Sequence, residues 1–571
     1  MASKKKLFDI KLYKEPGADP IERSVCAGTT IEELLGEYRS HLPYRVITAR
    51  VDGDDVALTY KIKKACEVVF CDIRDNTANR TFQRGLTLLY LTAVRDVFGE
   101  GAKVLIRNSV NRGIYTTIDT GKTVETGDGS ASSAEAVKTG DGSASSQKTQ
   151  NRPLSPLSPL SPRLPEGGLR QIEKRMWELV DKNIPIVPSP GGAFSLEGLK
   201  GKFYGIMPPS TGYIYSFALE SMRSGVLLRF PHPSDPGKLS VYRRDARVFD
   251  AYDEEQVFLD NLGLGTIKEL NQKIKKGGAE ETIRVAEQRH ESRLQDLAQS
   301  ILDSGKQVVL IAGPSSSGKT TFSKRLIEAI EGKGAPAPLY LGTDDYFRDR
   351  EFTPRDKKGD YNYEGLDAVD VELFAKNIGE LLAGKAADLP KYDFVRGEKD
   401  FGERKLRLKK RQIIIVEGIH ALNKKMSVGI DDGVKFKVYI SPLTQLNIDD
   451  YNRVPSTDVR LIRRIIRDHR TRGSSVMQTL HQWPKVRAGE SINIFPYNNE
   501  ADEVFNSTLI YELPVLKKYV VPLLEEVRPG EAAYGHAKWL LYFLAMFSQI
   551  DDESAIPPES ILREFIGGSK Y

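Results

Sequence analysis

A glycine-rich loop between a buried strand and a helix constrains this chain more than any other feature. The apolar run Val308–Ile311 leads into Gly313-Pro-Ser-Ser-Ser-Gly-Lys-Thr320, and a helical pattern continues over Thr321–Ile330. In this order of elements, the N–H groups of the loop and the N-terminus of the helix bind phosphate groups. The pattern therefore predicts an α/β domain with a nucleotide phosphate site.

Single loop residues have predictable tasks in such a site. Lys319 is expected to reach the β- and γ-phosphates, and the Thr320 hydroxyl is expected to ligate Mg²⁺. The residues predicted to contact the nucleotide phosphates are Gly313, Ser315, Ser316, Ser317, Gly318, Lys319, Thr320 and Thr321.

Two further apolar runs end in acidic residues. Pro338–Leu341 leads to Asp344 and Asp345, and Gln412–Val416 leads directly to Glu417. Ligands of α/β sheets bind at the carboxyl ends of the strands. We therefore expect one of the two aspartates to orient an acceptor hydroxyl and take its proton. We expect Glu417 to contribute to the water shell of Mg²⁺.

An arginine-rich helix follows. Its arginines recur every three or four residues, which places them on one face; they are Arg460, Arg463, Arg464, Arg467 and Arg470, with Arg472 at the end. A basic helix face is usually only solvated. Beside a phosphate loop it predicts a lid that closes over the phosphates and neutralises developing charge.

Residues 305–525 resemble the uridine kinase and phosphoribulokinase group of phosphate-loop kinases. The similar segments are Asp344-Asp-Tyr-Phe347, Pro390-Lys-Tyr-Asp-Phe394, Glu417-Gly-Ile419 and the arginine helix. The resemblance implies a parallel sheet flanked by helices, and an ATP-dependent kinase that uses ATP and Mg²⁺.

The resemblance also implies roles for single residues. Those implied to be catalytic are Lys319, Asp344, Arg464 and Arg467. Those implied to hold Mg²⁺ are Thr320, Asp344 and Glu417. Those implied to contact the acceptor are Phe347, Glu364 and Tyr392, and Arg472 is implied to contact the nucleotide.

Three positions depart from the uridine kinases. Gly397 stands where a base-contacting histidine is usual, Glu364 where an acceptor-binding aspartate is usual, and Ser474 where a final lid arginine is usual. The segment Glu417-Gly-Ile-His420 is closer to the phosphoribulokinases. The acceptor is predicted to be a nucleoside of the uridine or cytidine type, with a sugar or sugar phosphate as the alternative.

Residues 1–73 are predicted to form a small β-grasp module. A capping box, Thr30 with Glu33, starts its one helix. The predicted strands are Leu7–Leu12, Arg45–Val51, Val56–Ile62 and Cys66–Ile73. This order of elements resembles the TGS domain of threonyl-tRNA synthetases and some GTPases.

Residues 74–250 resemble an α+β domain, the second additional (editing) domain of threonyl-tRNA synthetase. The resemblance rests on a helix over Leu86–Phe98 and on Asn111-Arg-Gly-Ile-Tyr115; a strand over Gly201–Met207 follows. Leu88 and Thr92 stand where that family has a metal-binding histidine pair. The resemblance therefore implies a domain that only binds or scaffolds, without editing chemistry.

The other segments complete a multidomain α/β chain that resembles bacterial nucleoside kinases with such N-terminal domains. Residues 251–304 are predicted to be a helical connector, and residues 526–571 a helical tail. The apolar run Trp539–Phe547 within this tail is far shorter than the ~20 residues of a membrane-spanning helix. It predicts a buried helix.

Composition limits the classes of function. The 571 residues include 83 basic and 78 acidic ones, and this small excess of positive charge does not by itself indicate a nucleic-acid binder. Three cysteines and the lack of a signal segment or membrane span favour a cytoplasmic protein. An RNA- or ribosome-associated regulator, which contacts RNA through its N-terminal half, is the weaker alternative to a kinase with a small-molecule substrate.

Residues 122–168 have the composition of a disordered insertion. The sequence Thr-Gly-Asp-Gly-Ser-Ala-Ser-Ser occurs at 126–133 and again at 139–146, and three Ser-Pro pairs follow. Such segments cannot bury a core. A regulatory array of Ser-Pro phosphorylation sites is the alternative.

Deleting residues 124–165 should leave the melting temperature and the kinase rate nearly unchanged. The segment offers no core residues, and each doubling of loop length costs only about 0.6 kcal/mol of closure entropy. Thermal unfolding and steady-state kinetics of the shortened protein check this. A large drop in the melting temperature would show that the segment is structural.

Overall fold

The computed structural model describes residues 6–110, 113–120, 164–239, 246–355, 359–531 and 533–571. The chain divides into two compact units: Met1–Asp72 together with Val241–Tyr571, and Ile73–Ser240. Most of the predicted insertion, residues 122–163, lies outside the described residues. Among the helices described, none combines the length and the apolar character that a membrane crossing needs.

The N-terminal part of the first unit is a mixed five-stranded sheet with one helix. Its elements are β1 (Leu7–Tyr13), β2 (Ile21–Cys26), α1 (Ile31–Gly36), β3 (Val46–Val51), β4 (Asp54–Val56) and β5 (Cys66–Asp72). The strand order is β2-β1-β5-β3-β4, with β1 and β5 parallel. The capping box forms as predicted, because Thr30 accepts the N–H of Glu33 and Glu33 accepts the N–H of Thr30.

The predicted strand Val56–Ile62 is wrong beyond its first residue. The backbone turns at Ala57, whose carbonyl accepts the N–H of Tyr60. The carbonyls of Leu58 and Tyr60 then accept the N–H groups of Glu32 and Ile31 in the first turn of α1. Leu58 and Ile62 are fully buried. The apolar spacing therefore reflects burial in an irregular segment that satisfies the helix terminus.

The second unit combines a four-stranded antiparallel sheet with two helices and smaller ribbons. Its elements are α2 (Asn76–Phe98), β6 (Lys103–Val110), β7 (Gly113–Asp119), α3 (Gly168–Asp181), β8 (Val187–Ser189), β9 (Ala193–Leu196), β10 (Leu199–Lys202), β11 (Ala218–Met222), β12 (Gly225–Arg229), β13 (Pro231–His232) and β14 (Asp235–Leu239). The main sheet has the order β11-β12-β7-β6.

Two predictions for this unit need correction. Helix α2 begins ten residues before the predicted Leu86, since the Asp75 carboxylate caps it by accepting the N–H groups of Thr77 and Ala78. The predicted strand Gly201–Met207 ends at Lys202, because its partner β9 begins opposite that residue.

Leu88 and Thr92, the two positions compared with the editing domain, are completely buried. The Thr92 hydroxyl donates to the Leu88 carbonyl one turn earlier in α2.

Three helices lead into the part of the first unit that carries the glycine-rich loop. They are α4 (Ala246–Leu262), α5 (Ile267–Lys275) and α6 (Ala279–Ser304), and they occupy the range predicted to be helical. Helix α5 begins with a second capping box, Thr266 with Glu269.

The remaining elements build an α/β layer structure. They are β15 (Val308–Ala312), α7 (Lys319–Gly332), β16 (Leu339–Gly342), α8 (Val371–Leu382), β17 (Ala386–Asp388), β18 (Lys391–Asp393), β19 (Glu398–Asp400), β20 (Lys405–Arg407), β21 (Ile414–Glu417), β22 (Lys435–Ser441), α9 (Ser456–Arg472), α10 (Val476–Asn493), β23 (Glu503–Asn506), α11 (Glu512–Glu525), α12 (Tyr534–Ala545) and α13 (Arg563–Ile566). The sheet order is β16-β21-β15-β22-β23, and every pairing in it is parallel.

Both faces of this sheet are covered. Along β15, Val309 and Ile311 belong to one hydrophobic cluster, and Val308 and Leu310 belong to the cluster on the other side. A parallel strand buried on both faces reads as a continuous apolar run, which is how β15 and β21 appear in the sequence. The carboxyl ends of β16, β21 and β15 meet at one edge, and that edge carries the candidate site.

Candidate active site

The loop after β15 and the start of α7 form the centre of the site. Ser316 and Gly318 have left-handed backbone conformations, with φ of 60° and 86°, and α7 begins at Lys319. The Lys319 ammonium donates to the carbonyl of Pro314 at 3.3 Å, so it folds back over the loop. The side chains of Lys319 and Thr320 reach solvent, whereas Ser316 and Ser317 are buried.

The end of β21 brings Glu417 to the loop. The Thr320 hydroxyl donates to Glu417 Oε2 at 3.2 Å, and the Tyr340 hydroxyl donates to the same oxygen at 2.9 Å. Only glycine fits at position 418, because a Cβ there would lie 1.7 Å from Thr343 Oγ1. This close approach joins the end of β21 to the segment that carries the aspartates.

Asp344 and Asp345 have different surroundings. Asp345 forms an ion pair with Arg404 at 2.7 Å, so its carboxylate is already paired with the segment directly before β20. Asp344 is accessible to solvent, but the crowded site raises the pKa of its carboxyl against the opposing effects of Lys319 and Arg472. The accessible Asp344 is therefore the better placed of the two for an acceptor hydroxyl.

The residues around the loop fit a magnesium ion. Burial raises the pKa of Glu417, with Lys319 lowering it and Asp344 raising it further, so the two carboxylates share one electrostatic environment. Mg²⁺ uses one or two carboxylates together with the phosphates of the substrate. Within the described parts of the chain no group of three or more His, Cys, Asp or Glu forms a metal cluster. Thr320, Asp344 and Glu417 offer one hydroxyl and two carboxylates, a donor set that phosphates and water would complete.

Aromatic rings line the side of the site next to the aspartates. Phe347 packs edge-on against Tyr363 and Tyr392, with ring centres 5.3 and 5.8 Å apart. Phe394 packs against Tyr392 at 5.0 Å and is itself 59% exposed. Phe347 and Tyr392 are buried, so this aromatic cluster offers mainly the exposed ring of Phe394 to a planar or apolar ligand group. The structure thus brings Phe347 and Tyr392, both predicted acceptor contacts, together.

Glu364 lies between this aromatic cluster and α10. Its backbone carbonyl accepts a hydrogen bond from Asn493 Nδ2 at 2.9 Å, and Gly489 packs against its side chain. Burial raises the pKa of Glu364 to about 7, with Arg464 opposing the increase.

The side chain of Arg350 occupies the space beside Gly397. Gly397 has a φ of +79°, and a Cβ there would lie 2.6 Å from Arg350 Nε. The Arg350 guanidinium donates to the carbonyls of Phe394 and Val395 at 2.7 and 3.3 Å. Arg350 lies forty-seven residues before Gly397 in the sequence, so no local pattern predicted that its side chain would occupy this space.

The arginine helix differs from the predicted lid. Arg460 and Arg463 are buried, and they pair with Glu490 of α10 and Glu512 of α11. The prediction that all five arginines of this helix face the phosphates is therefore wrong for Arg460 and Arg463. They form buried structural ion pairs, and their acidic partners lie 30 and 49 positions away in the sequence.

The other arginines of α9 have different partners. Arg464 donates to the hydroxyl of Ser315 at 2.8 Å, and Arg467 pairs with Asp468 at 2.8 Å. Arg470 donates to the carbonyl of Phe565. The Arg472 side chain is 56% exposed.

The C-terminal tail reaches the first turn of α7. The Thr321 hydroxyl donates to Glu564 Oε2 at 2.9 Å, and Thr321 is 3% exposed. Ile561 packs against Gly318. A nucleotide contact through the Thr321 hydroxyl would therefore require Glu564 to move.

The fold and this edge define a phosphate-loop α/β protein of the kinase type. The profile of the Phosphoribulokinase / Uridine kinase family matches residues 308–511. The uridine kinase of Staphylococcus aureus (strain JH9) is 30% identical over 179 residues, which cover 31% of this chain and 76% of that protein. The chain belongs to the Phosphoribulokinase / Uridine kinase family.

Two solved structures are also similar. One is described as a "Possible Uridine Kinase" from Bacillus stearothermophilus: 22% identity, 38% of this chain and 97% of that chain covered, TM-score 0.26. The other is D-glycerate 3-kinase from Cryptococcus neoformans: 14% identity, 35% and 88% covered, TM-score 0.27. With TM-scores this low, the family assignment rests on the sequence matches. These matches give no support for RNA contact, and the resemblances of residues 1–73 and 74–250 stay predictions.

Replacing Glu364 by glutamine should stabilise the protein in a pH-dependent way. The folded-state pKa of about 7 lies above the usual 4.5. The stability contributed by Glu364 is therefore present below pH 4.5 and is lost as the pH rises towards 7. The advantage of Glu364→Gln should grow by about 1–2 kcal/mol between pH 5.5 and 8.

Melting temperatures measured across this pH range check the prediction. Glu372→Gln, at an exposed position of α8, is the matched control. A difference between Glu364→Gln and the wild type that does not change with pH would contradict the environment described for Glu364.

Proposed function

We propose that this protein transfers the γ-phosphate of ATP to a hydroxyl group of a nucleoside of the uridine or cytidine type. One observation carries the proposal: an accessible aspartate, Asp344, stands between the phosphate loop and a cluster of aromatic rings. Family membership supports an ATP-dependent phosphotransferase. The nucleoside is supported by the exposed ring of Phe394, which packs against Phe347 and Tyr392, and by the uridine kinase relative.

The residues present have clear tasks in this reaction. Backbone N–H groups at the end of the loop and the start of α7 hold the phosphates, since Pro314 has none and that of Ser315 donates to Glu490. Lys319 turns from the Pro314 carbonyl to the β- and γ-phosphates. Thr320, Asp344 and Glu417 would hold Mg²⁺, partly through water. The ion would neutralise phosphate charge and align the transferring group.

The chemical step is an in-line displacement. The acceptor oxygen forms a bond to the γ-phosphorus as the bond to the β–γ bridging oxygen breaks, and ADP leaves. Asp344 accepts the proton of the acceptor hydroxyl. Arg464, Arg467 and Arg472 of α9 lie close enough to the loop or to Asp344 to offset charge on the transferring group.

Arg350 favours a second candidate, a sugar or sugar phosphate acceptor. Its guanidinium fills the space beside Gly397, where uridine kinases place a base-contacting histidine. A cationic group at this point would suit an anionic acceptor at least as well as a pyrimidine.

A panel assay tests the proposal directly. The full-length protein is incubated with Mg-ATP and single nucleosides, sugars or sugar phosphates, and products are identified by ³¹P NMR. We expect one nucleoside monophosphate in equal amount to ADP, and loss of nearly all transfer in Lys319→Ala, which removes phosphate stabilisation. A phosphorylated sugar alone selects the second candidate. ADP formed without any phosphorylated acceptor contradicts both.

Asp344→Asn should lower the turnover number far more than the affinity for ATP. Asparagine keeps the size of the side chain but cannot take the proton, and removal of a general base typically costs a factor of about 10²–10⁴. Steady-state kinetics with the identified acceptor provide the measurement. Turnover near the wild-type rate would rule out Asp344 and leave Asp345 as the candidate, in spite of its ion pair with Arg404.

A further inference from the structure

A buried carboxylate outside the reacting centre holds the phosphate loop. Glu490 on α10 is 1% exposed and accepts the backbone N–H of Ser315 at 3.0 Å. Both of its oxygens pair with Arg460, and Arg487 donates to Oε2 at 2.7 Å. The carboxylate thus has three cationic or N–H partners in a site that excludes water.

All three polar groups of Ser315 are bound by the same pair of helices. Glu490 accepts its N–H, Arg460 donates to its carbonyl at 3.1 Å, and Arg464 donates to its hydroxyl at 2.8 Å. Arg463 adds a contact to the carbonyl of Ser316 at 3.4 Å. A change in the shape of the loop would therefore break several buried hydrogen bonds at once.

Two arginines face the single carboxylate of this group. Burial alone would raise the pKa of Glu490, but Arg460 and Arg487 outweigh it and hold the pKa below its usual value. The carboxylate is therefore ionised and fully paired. An unpaired carboxylate at this distance from the loop would repel a triphosphate, and an unpaired Arg460 would lose its hold on the Ser315 carbonyl.

We propose that Glu490 is a positioning residue for phosphoryl transfer, which acts through Arg460 and the backbone of Ser315. It fixes the loop so that the N–H groups of the loop converge on the nucleotide phosphates. It also joins the loop to α9, which carries Arg464 and Arg467, so that phosphate binding and the placement of these arginines are coupled. The inference rests on the proposed function and adds to it a residue that no local sequence pattern indicates.

The test compares Glu490→Gln with a matched control, Glu255→Gln. Glu255 is 4% exposed and pairs with Arg289 and Asn506, so its loss also breaks a buried ion pair, but neither of these partners belongs to the loop. We expect similar decreases in melting temperature in both variants. Glu490→Gln alone should raise the KM for ATP about tenfold or more and lower kcat about tenfold.

Direct titration of ATP, without an acceptor, separates this inference from the proposed function. We expect weaker ATP binding in Glu490→Gln than in Glu255→Gln. ATP binding and kinetic constants equal in the two variants would overturn the inference, since a purely structural role predicts that result. Wild-type protein that binds ATP tightly but phosphorylates no acceptor would count against the proposed function alone.

A double variant covers the case in which Glu490→Gln does not fold. Replacing both partners, Arg460→Met with Glu490→Leu, removes the buried ion pair and leaves only Arg487 without its carboxylate, on a side chain that is 32% exposed to water. Because Ser315 loses both backbone contacts, we expect the same loss of ATP affinity in a folded protein. Wild-type affinity in the folded double variant would overturn the inference.

Discussion

The parallel pairing of β15 with β21 and β22 is the constraint on which the rest of the site depends. Parallel strands place all their carboxyl ends at one edge of the sheet, so the phosphate loop and Glu417 must emerge side by side. Pairing of β16 with β21 adds Asp344 to the same edge. The site is therefore a consequence of strand order, and no single loop could create it alone.

The edge also requires a support for the loop that it carries. Backbone N–H groups that must bind phosphate cannot all be satisfied within the protein, so the loop gains little rigidity from its own hydrogen bonds. Here the support comes from α9 and α10, where Arg460, Arg463 and Glu490 contact the backbone of Ser315 and Ser316. Two of the arginines that predict a mobile lid in the sequence, Arg460 and Arg463, instead support the backbone of the loop.

Local patterns in the sequence predicted those features that depend on neighbouring residues. The strand, loop and helix around Lys319 and the capping box at Thr30 lie where predicted, because each is determined within a few residues. The run Trp539–Phe547 lies largely within α12, a helix with a buried side. Predictions failed where the deciding partner is distant. The segment after Val56 gives its carbonyls to α1, and Arg460 turns inward to Glu490.

The same distinction between local and distant partners applies to the residues of the candidate site. Thr320 and Glu417 were predicted from motifs and lie in hydrogen-bond contact. Glu490, Arg404 and Arg350 had no sequence signal, since each acts on a residue at least 59 positions away or through a backbone group. Such partners become visible only when the fold brings the helices and hairpins together.

A crystal structure of the full chain with Mg²⁺, a non-hydrolysable ATP analogue and a nucleoside tests the central claim most directly. The account predicts that the triphosphate lies in the loop of residues 313–320, that the acceptor hydroxyl faces Asp344, and that Glu490 still accepts the N–H of Ser315. A triphosphate bound away from this loop, or an acceptor hydroxyl turned away from Asp344, would contradict it.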